Sequence, residues 1–251
     1  KKRHYNYIIH LAAELGVDNV ISNPYKVISF NIKSTIELIE FGLKQKNLKK
    51  FCYTSSSEVY AHTIKKRKLI PTKENVEIMY SSNLSNRDSY MSSKFFGEVS
   101  LRLSNLPFII FRPHNIYGPR MGTKHVVPQL IEKSLKKQKN LTVYSPKHSR
   151  SFCYIDDAAY MMIKVIFSKI SNQVFNIGNP KSEIKIYQLA RLIKNQVSPD
   201  KIIKFNCNQL GSPKRRVPSM QKFIDYFGTV KFTNIENGLA KTVKWYTKLF
   251  S

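Results

Sequence analysis

Three short apolar runs, each separated from the next by a stretch with apolar residues at helical spacing, narrow the folds open to this chain. The runs are Tyr7-Ile8-Ile9-His10-Leu11-Ala12-Ala13, Phe51-Cys52-Tyr53-Thr54 and Leu106-Pro107-Phe108-Ile109-Ile110-Phe111-Arg112. A run this short and this apolar reads as a strand buried on both faces, not as a half-exposed one. The spacing between the runs predicts helices over 31–44 and 88–103, with Asp88 as N-cap of the second. Strands alternating with helices imply a parallel sheet covered on both sides, an α/β fold. Past Gly118-Pro119 the texture changes: helical patterns at 126–137, 156–167, 186–195 and 235–249 enclose short apolar pieces, Val174-Phe175-Asn176-Ile177-Gly178 the clearest. The chain therefore divides at 1–118 and 119–251, the second part a smaller α/β lobe with some segments returning to the first sheet.

Composition excludes several classes. At 251 residues and 42% apolar, the chain can bury a sizeable core. No apolar run approaches the ~20 residues of a membrane helix, and Lys1-Lys2-Arg3 leads into no signal-peptide cleavage pattern. Cys52, Cys153 and Cys207 lie far apart, which argues against a zinc ribbon or disulfide scaffold and for a reducing, cytoplasmic setting. His114 and His125 are too isolated to suggest a metal site. Lys and Arg number 42 against 16 Asp and Glu, a formal charge of +26. That balance raises nucleic acid as a partner, but the excess is spread along the chain and the densest run, Lys65-Lys66-Arg67-Lys68, is short. Solvated basic faces are the simpler reading.

Chemistry concentrates at Tyr90-Met91-Ser92-Ser93-Lys94. Tyr and Lys four apart share one face of a helix. A tyrosine with a pKa near ~10 is a poor base at neutral pH, and an adjacent ammonium lowers it. Alone, this spacing is a common surface pair. Here a serine cluster, Ser55-Ser56-Ser57, ends the preceding strand at the sheet's carboxyl edge, where open α/β sheets bind ligands. Ser56 is thereby placed to share a proton with Tyr90.

Taken in order, seven segments make the chain resemble the extended short-chain dehydrogenase/reductase family of nucleotide-sugar epimerases, dehydratases and decarboxylases. They are His10-Leu11-Ala12-Ala13; Asn31-Ile32-Lys33-Ser34-Thr35, with Ser34 for the usual glycine; Thr54 to Tyr60 followed by Ala61; Tyr90 to Lys94 with Gly97-Glu98; Arg112 to Arg120; Arg150 to Asp157; and Arg215-Arg216-Val217-Pro218-Ser219. Trp245-Tyr246 closes the match. The resemblance implies a Rossmann-like doubly wound sheet and bound NAD. The family's GxxGxxG cofactor loop is missing from these residues, so the chain is expected to start near the family's fourth strand, as a fragment or truncated product.

The resemblance also implies roles. Tyr90 takes the proton of a sugar 4-hydroxyl, Lys94 lowers the Tyr90 pKa and bonds the cofactor ribose, and Ser56 relays the proton. Leu11, Ala12, Ala13, Asn31 and Pro113 line the cofactor. Asn115, Arg150 and Arg216 hold the diphosphate of a nucleotide-diphosphate sugar, guanidinium groups suiting a bidentate grip. For Leu11, Ala12, Ala13 and Pro113 plain packing is an equal reading; for Asn115 it is a turn, and for the arginines surface ion pairs. Asp156-Asp157 reads as a helix cap. Glu58 bears on the reaction, since a carboxylate there could abstract a C5 proton in a 4,6-dehydratase or serve a UDP-glucuronate-decarboxylase-like enzyme. An epimerase, needing only Tyr90, Lys94 and Ser56, is placed first. The remaining alternatives are an inactive fragment and a basic nucleic-acid binder. Family members often pair helices beside the active site, so a homodimer is also an expectation.

Overall fold

The structure is a computed structural model describing residues 4–206 and 213–250; Cys207 lies outside the described residues. In chain order the first half holds β1 (Tyr7–His10), α1 (Val17–Ser22), α2 (Pro24–Leu43), β2 (Lys50–Thr54), a 3-10 turn (Ser57–Tyr60), α3 (Ala61–Arg67), α4 (Asp88–Leu103) and β3 (Phe108–Pro113). The second half holds β4 (Ile116–Tyr117), α5 (Val126–Leu135), β5 (Asn140–Tyr144), β6 (Ser149–Ser151), β7 (Cys153–Tyr154), α6 (Ile155–Ile166), β8 (Gln173–Ile177) and β9 (Glu183–Lys185). It closes with α7 (Ile186–Val197), β10 (Ile202–Asn206), β11 (Arg215–Arg216), α8 (Gln221–Phe227) and α9 (Ile235–Phe250).

The main sheet has the order β1-β2-β3-β8, and every neighbouring pair is parallel. Alternation along each strand sends side chains to opposite faces. Ile8, Phe51, Tyr53, Ile110 and Val174 pack against Ile39 of α2 and Leu101 of α4. Cys52, Ile109, Phe111, Phe175 and Ile177 pack against Met161 and Val165 of α6 and Phe223 of α8. The sheet is thus doubly covered, and β8, α6 and α8 come to it from the second half of the chain. A separate apolar cluster joins α5, α7 and α9 over β5 through Leu130, Leu141, Leu189, Leu239 and Tyr246. The strand at Tyr7 is shorter than the apolar run suggests: pairing ends at His10, and Leu11 and Ala12 lie exposed beyond it. No helix among the described residues is long and apolar enough to cross a membrane.

Two buried polar devices fix the layers around the sheet's working edge. Lys50 is 3% exposed; its ammonium donates to the carbonyls of Val165, Ile166 and Ser168 at 2.9–3.1 Å, capping the carbonyl end of α6. Arg112 donates through Nε and Nη2 to both Glu98 oxygens at 2.8 and 2.6 Å, and through Nη1 to the Tyr60 hydroxyl and the Glu74 carbonyl. This pair locks α4 to β3. Gly97 lets α4 approach β2, because a Cβ there would run into the Tyr53 hydroxyl.

Two expected caps are replaced by tertiary bonds. Arg87, not Asp88, is the N-cap residue of α4. The Asp88 carboxylate turns back to accept from the Ser85 amide and hydroxyl and pairs with His62 Nε2 at 2.7 Å. Likewise Tyr154 is the N-cap of α6, and the Asp157 carboxylate accepts from the Thr233 amide and hydroxyl at 2.8 and 2.9 Å. In both cases a carboxylate in the first turn finds nearby donors outside its own helix.

Candidate active site

Because all four strands of the main sheet run parallel, β1, β2 and β3 deliver their carboxyl ends to one edge. Helix α4 crosses that edge with Tyr90 and Lys94 one turn apart. The Ser56 hydroxyl hydrogen-bonds Tyr90, favouring the phenolate, and accepts the Glu58 amide at 3.2 Å. The Lys94 ammonium is buried, donates to the Thr54 carbonyl at 2.7 Å and stands 5.9 Å from the Tyr90 ring centre. Tyr90, Lys94 and Ser56 therefore meet.

Their electrostatics depart from the expected activation. Burial outweighs the Ser56 bond, Glu58 adds repulsion, and the Tyr90 phenol is pushed up to about 12. Lys94 is not among the groups that shift it here; its ammonium donates to the Thr54 carbonyl. Burial, opposed by Glu98, also brings Lys94 itself down to about 8. Burial next to Lys94 holds His10 at about 4, hence neutral, with Nε2 against the Thr35 hydroxyl at 3.1 Å.

The cofactor-side residues separate into two groups. Leu11 and Ala12 are exposed, Ala13 and Pro113 half-buried. Asn31 is different: its amide donates to the Glu14 carbonyl and Ser93 hydroxyl and accepts the Glu14 amide. Its side chain ties the loop after β1 to α4. The hydroxyls of Thr54 and Ser55 are buried at the same edge without a hydrogen-bond partner among the described residues. Orphan hydroxyls, a buried ammonium and an apolar lip suit the polar ribose and flat ring at the nicotinamide end of NAD. The residues present fit that end of the cofactor; no GxxGxxG run occurs in the 251 residues to hold its pyrophosphate.

Beside this edge a cleft of about 270 Å³ is lined by Glu58, Arg87, Asn115, Arg150 and Arg216, with α5 and β5 on the far wall. Asn115 adopts a left-handed φ of 43° and donates to the Ser151 carbonyl at 3.3 Å, so it serves as a turn residue and lines the cleft as well. Arg216 grips Glu58 with both terminal nitrogens at 2.8 and 3.1 Å, where the sequence suggested a diphosphate. Burial would raise the Glu58 carboxyl, but Arg216 first, then Arg87 and Arg150, pull it down to about 2. Arg150 donates to the Ser149 carbonyl at 2.7 Å; burial, Arg216 and Arg87 make its charge costly and bring it down to about 9, Glu58 opposing. Sequence reasoning passed over Arg87, though it stands three residues before Tyr90. It also passed over His148, which lines the cleft together with His125, burial lowering both.

Known proteins match this chain in sequence and in fold. Residues 1–178 match the model of the NAD dependent epimerase/dehydratase family. The chain belongs to that family. A UDP-N-acetyl-alpha-D-glucosaminuronate decarboxylase of Bacillus cytotoxicus is 26% identical over 98% of this chain and 78% of its own length. A trifunctional UDP-glucose 4,6-dehydratase/UDP-4-keto-6-deoxy-D-glucose 3,5-epimerase/UDP-4-keto-L-rhamnose-reductase of Arabidopsis thaliana is 29% identical over 96% of this chain, which spans 36% of that protein. Among solved structures, UDP-glucose 4-epimerase from Thermotoga maritima with UDP-glucose superposes with a TM-score of 0.85 at 25% identity, covering 98% of this chain and 78% of that one. Five reactions stand in the names of these three relatives: decarboxylation, 4,6-dehydration, 3,5-epimerisation, keto-sugar reduction and 4-epimerisation.

Proposed function

We propose that this chain carries the catalytic centre of an NAD-dependent nucleotide-sugar 4-epimerase. One observation carries the reading: Tyr90, hydrogen-bonded to Ser56 and backed by the buried Lys94, sits at the carboxyl edge of the sheet above an arginine-lined cleft. NAD, when bound, would supply the hydride acceptor and donor at C4. Tyr90 accepts the 4-hydroxyl proton and gives it back, and Ser56 orients that hydroxyl. With NAD bound, Lys94 would hold the cofactor ribose, and its charge, with that of the oxidised ring, would bring the Tyr90 phenol down from about 12. Asn115, Arg150 and Arg216 accept the diphosphate, as guanidinium groups do well.

Glu58 weighs against a dehydratase as first choice. While Arg216 grips it, its carboxylate is pulled down to about 2 and is a weak base for a C5 proton. Decarboxylation of a nucleotide-linked uronic acid is the second reading, favoured by the relative from Bacillus cytotoxicus, whose name states that reaction. Proton NMR of the products formed from UDP-hexoses with added NAD tests the choice: a C4 epimer of unchanged mass supports the epimerase, and carbon dioxide release overturns it in favour of the second reading. Loss of water would restore the dehydratase.

A further inference from the structure

We propose that His114 is a positioning residue for the diphosphate grip: when a nucleotide diphosphate draws Arg216 away from Glu58, Arg216 Nε donates to the lone pair of His114 Nδ1, and the guanidinium is held with both terminal nitrogens turned to the phosphates. The inference rests on the nucleotide-sugar reading above and adds a residue behind the cleft wall. The protonation of the His114 ring follows from its neighbours. Asn176 Nδ2 lies 2.9 Å from the Thr72 carbonyl and 3.2 Å from the Ser219 carbonyl. Carbonyls only accept, so this end of the amide is the donor and Oδ1, at the other end, only accepts. Arg112 Nη1 donates to the Tyr60 hydroxyl at 2.8 Å, and that hydroxyl donates its own hydrogen to Asn176 Oδ1 at 3.0 Å. His114 Nε2 stands 3.2 Å from the same oxygen and must therefore carry a hydrogen. The ring is fully buried, and burial first, then the Arg216 charge, keeps it down at about 3, hence neutral. A neutral ring with its hydrogen on Nε2 leaves Nδ1 as a bare acceptor. That atom is buried with no hydrogen-bond partner among the described residues.

Arg216 holds the matching donor. It is 3% exposed, its two terminal nitrogens go to Glu58, and its Nε is buried with no acceptor among the described residues. The two residues are neighbours in the fold. His114 follows β3 and its amide donates to the Ile177 carbonyl at the end of β8. Gly178 comes next, packed between His114 and Pro218, two residues past Arg216: a Cβ there would meet Pro218 Cγ at 2.8 Å and His114 Cβ at 3.1 Å. A buried acceptor and a buried donor, each left unpaired, are costly, and pairing them removes both penalties at once. The bidentate bond to the half-buried Glu58 now sets the angle of the guanidinium. A diphosphate that takes over the terminal nitrogens frees the group to turn on its stem until Nε meets Nδ1. The Nε edge and the terminal fork of a guanidinium are separate donor faces, so the bond to His114 and the grip on phosphate coexist.

The test is calorimetric binding of UDP, dTDP and GDP by the 251-residue chain and by two variants. His114→Gln keeps a donor toward Asn176 and removes the acceptor at Nδ1. His114→Asn gives up that donor and places its amide oxygen where Nδ1 stood. Both disturb the same buried site, and only the second keeps the acceptor. Whichever diphosphate binds should bind about tenfold or more weakly to His114→Gln, the scale of one hydrogen bond to a charged group, and His114→Asn should restore most of the affinity. Nitrogen NMR of the histidine rings adds a readout that packing alone does not move. The His114 Nδ1 signal, assigned by its loss in His114→Asn, should be that of an unpaired acceptor in the chain alone and shift toward a hydrogen-bonded one when the diphosphate is added. Unchanged binding by His114→Gln overturns the proposal and leaves the nucleotide-sugar reading standing. An equal loss in both variants makes His114 a packing residue and overturns it too, as does an Nδ1 signal that stays in place on binding. Binding of none of the three diphosphates by the unaltered chain overturns the nucleotide-sugar reading and the proposal with it.

Discussion

Replacing Glu98 by alanine should unfold this chain more readily than any change at an exposed ion pair. Arg112 is 2% exposed and Glu98 1%. The guanidinium makes four hydrogen bonds, two of them to Glu98. In Glu98→Ala the Tyr60 hydroxyl and the Glu74 carbonyl remain, and a full positive charge stays buried without a counter-ion. Removing one member of such a pair costs about 3–5 kcal/mol, because the survivor keeps its desolvation penalty. Against a typical total of about 5–15 kcal/mol, this is a large fraction. With a urea slope of about 2–3 kcal/mol per molar, the midpoint should fall by about 1–2.5 M. Glu98→Gln, which keeps one acceptor, should fall less. Glu77→Ala serves as the comparison, since its bond to Arg67 is largely exposed at 72% and 48%; it should change stability by well under about 1 kcal/mol. The assay is equilibrium urea unfolding followed by tyrosine and tryptophan fluorescence. A loss below about 1 kcal/mol in Glu98→Ala, with an unchanged slope, would refute the argument that this pair fastens α4 to β3.

Three further outcomes follow from the same geometry. Burial keeps His10 down at about 4 and His114 at about 3, the latter with Arg216 adding to the effect; both bind their proton more readily when unfolded. Their contribution is therefore present above about 6.5 and lost as the pH falls toward 4 and then 3, so the urea midpoint should drop across that window; a midpoint flat from pH 7 to 4 contradicts it. Gly97→Ala drives a Cβ into the Tyr53 hydroxyl inside a closed layer, and should cost about 1–3 kcal/mol and lower turnover by shifting Tyr90 and Lys94; circular dichroism melts and steady-state rates check both. The difference in alkaline absorbance at 295 nm between the chain and Tyr90→Phe should show no tyrosinate below about pH 11 in the absence of NAD, and a clear shift downward when it is added. A tyrosinate at neutral pH without cofactor would remove the cofactor's part in activating Tyr90.

The layered part of the fold was legible because strands buried on both faces leave short, wholly apolar signatures, and α4 was legible to its ends. Elements of two or three residues, such as Ser149–Ser151 and Arg215–Arg216, leave no periodicity to find. The strand expected through Ala13 stops at His10, because Leu11 and Ala12 are apolar for a reason other than packing in the sheet. That Tyr90, Lys94 and Ser56 would meet was legible from their spacing and from their place after a strand. The Glu58–Arg216 bond joins residues 158 apart, and the Asp157–Thr233 bonds residues 76 apart; no local pattern announces such partners, so Glu58 read as a base and Asp157 as a cap. Asn31 read as a cofactor-lining residue; its hydrogen-bond partners, Glu14 of the loop after β1 and Ser93 of α4, are brought to it only by tertiary packing. Arg87 could have been found from the sequence by carrying the helix face one turn back from Tyr90.

The central claim is that Tyr90 moves the 4-hydroxyl proton while hydride leaves C4 of a nucleotide-linked hexose and returns within one site. The most direct measurement uses UDP-hexoses, neutral and uronate, deuterated at C4 and turned over with NAD by the chain and by Tyr90→Phe. The account predicts a slower rate with the label, deuterium retained at C4 of a product of inverted C4 configuration, and a fall of about 10²–10⁴ in turnover for Tyr90→Phe. Turnover without any C4 isotope effect, or near-normal turnover by Tyr90→Phe, would contradict it.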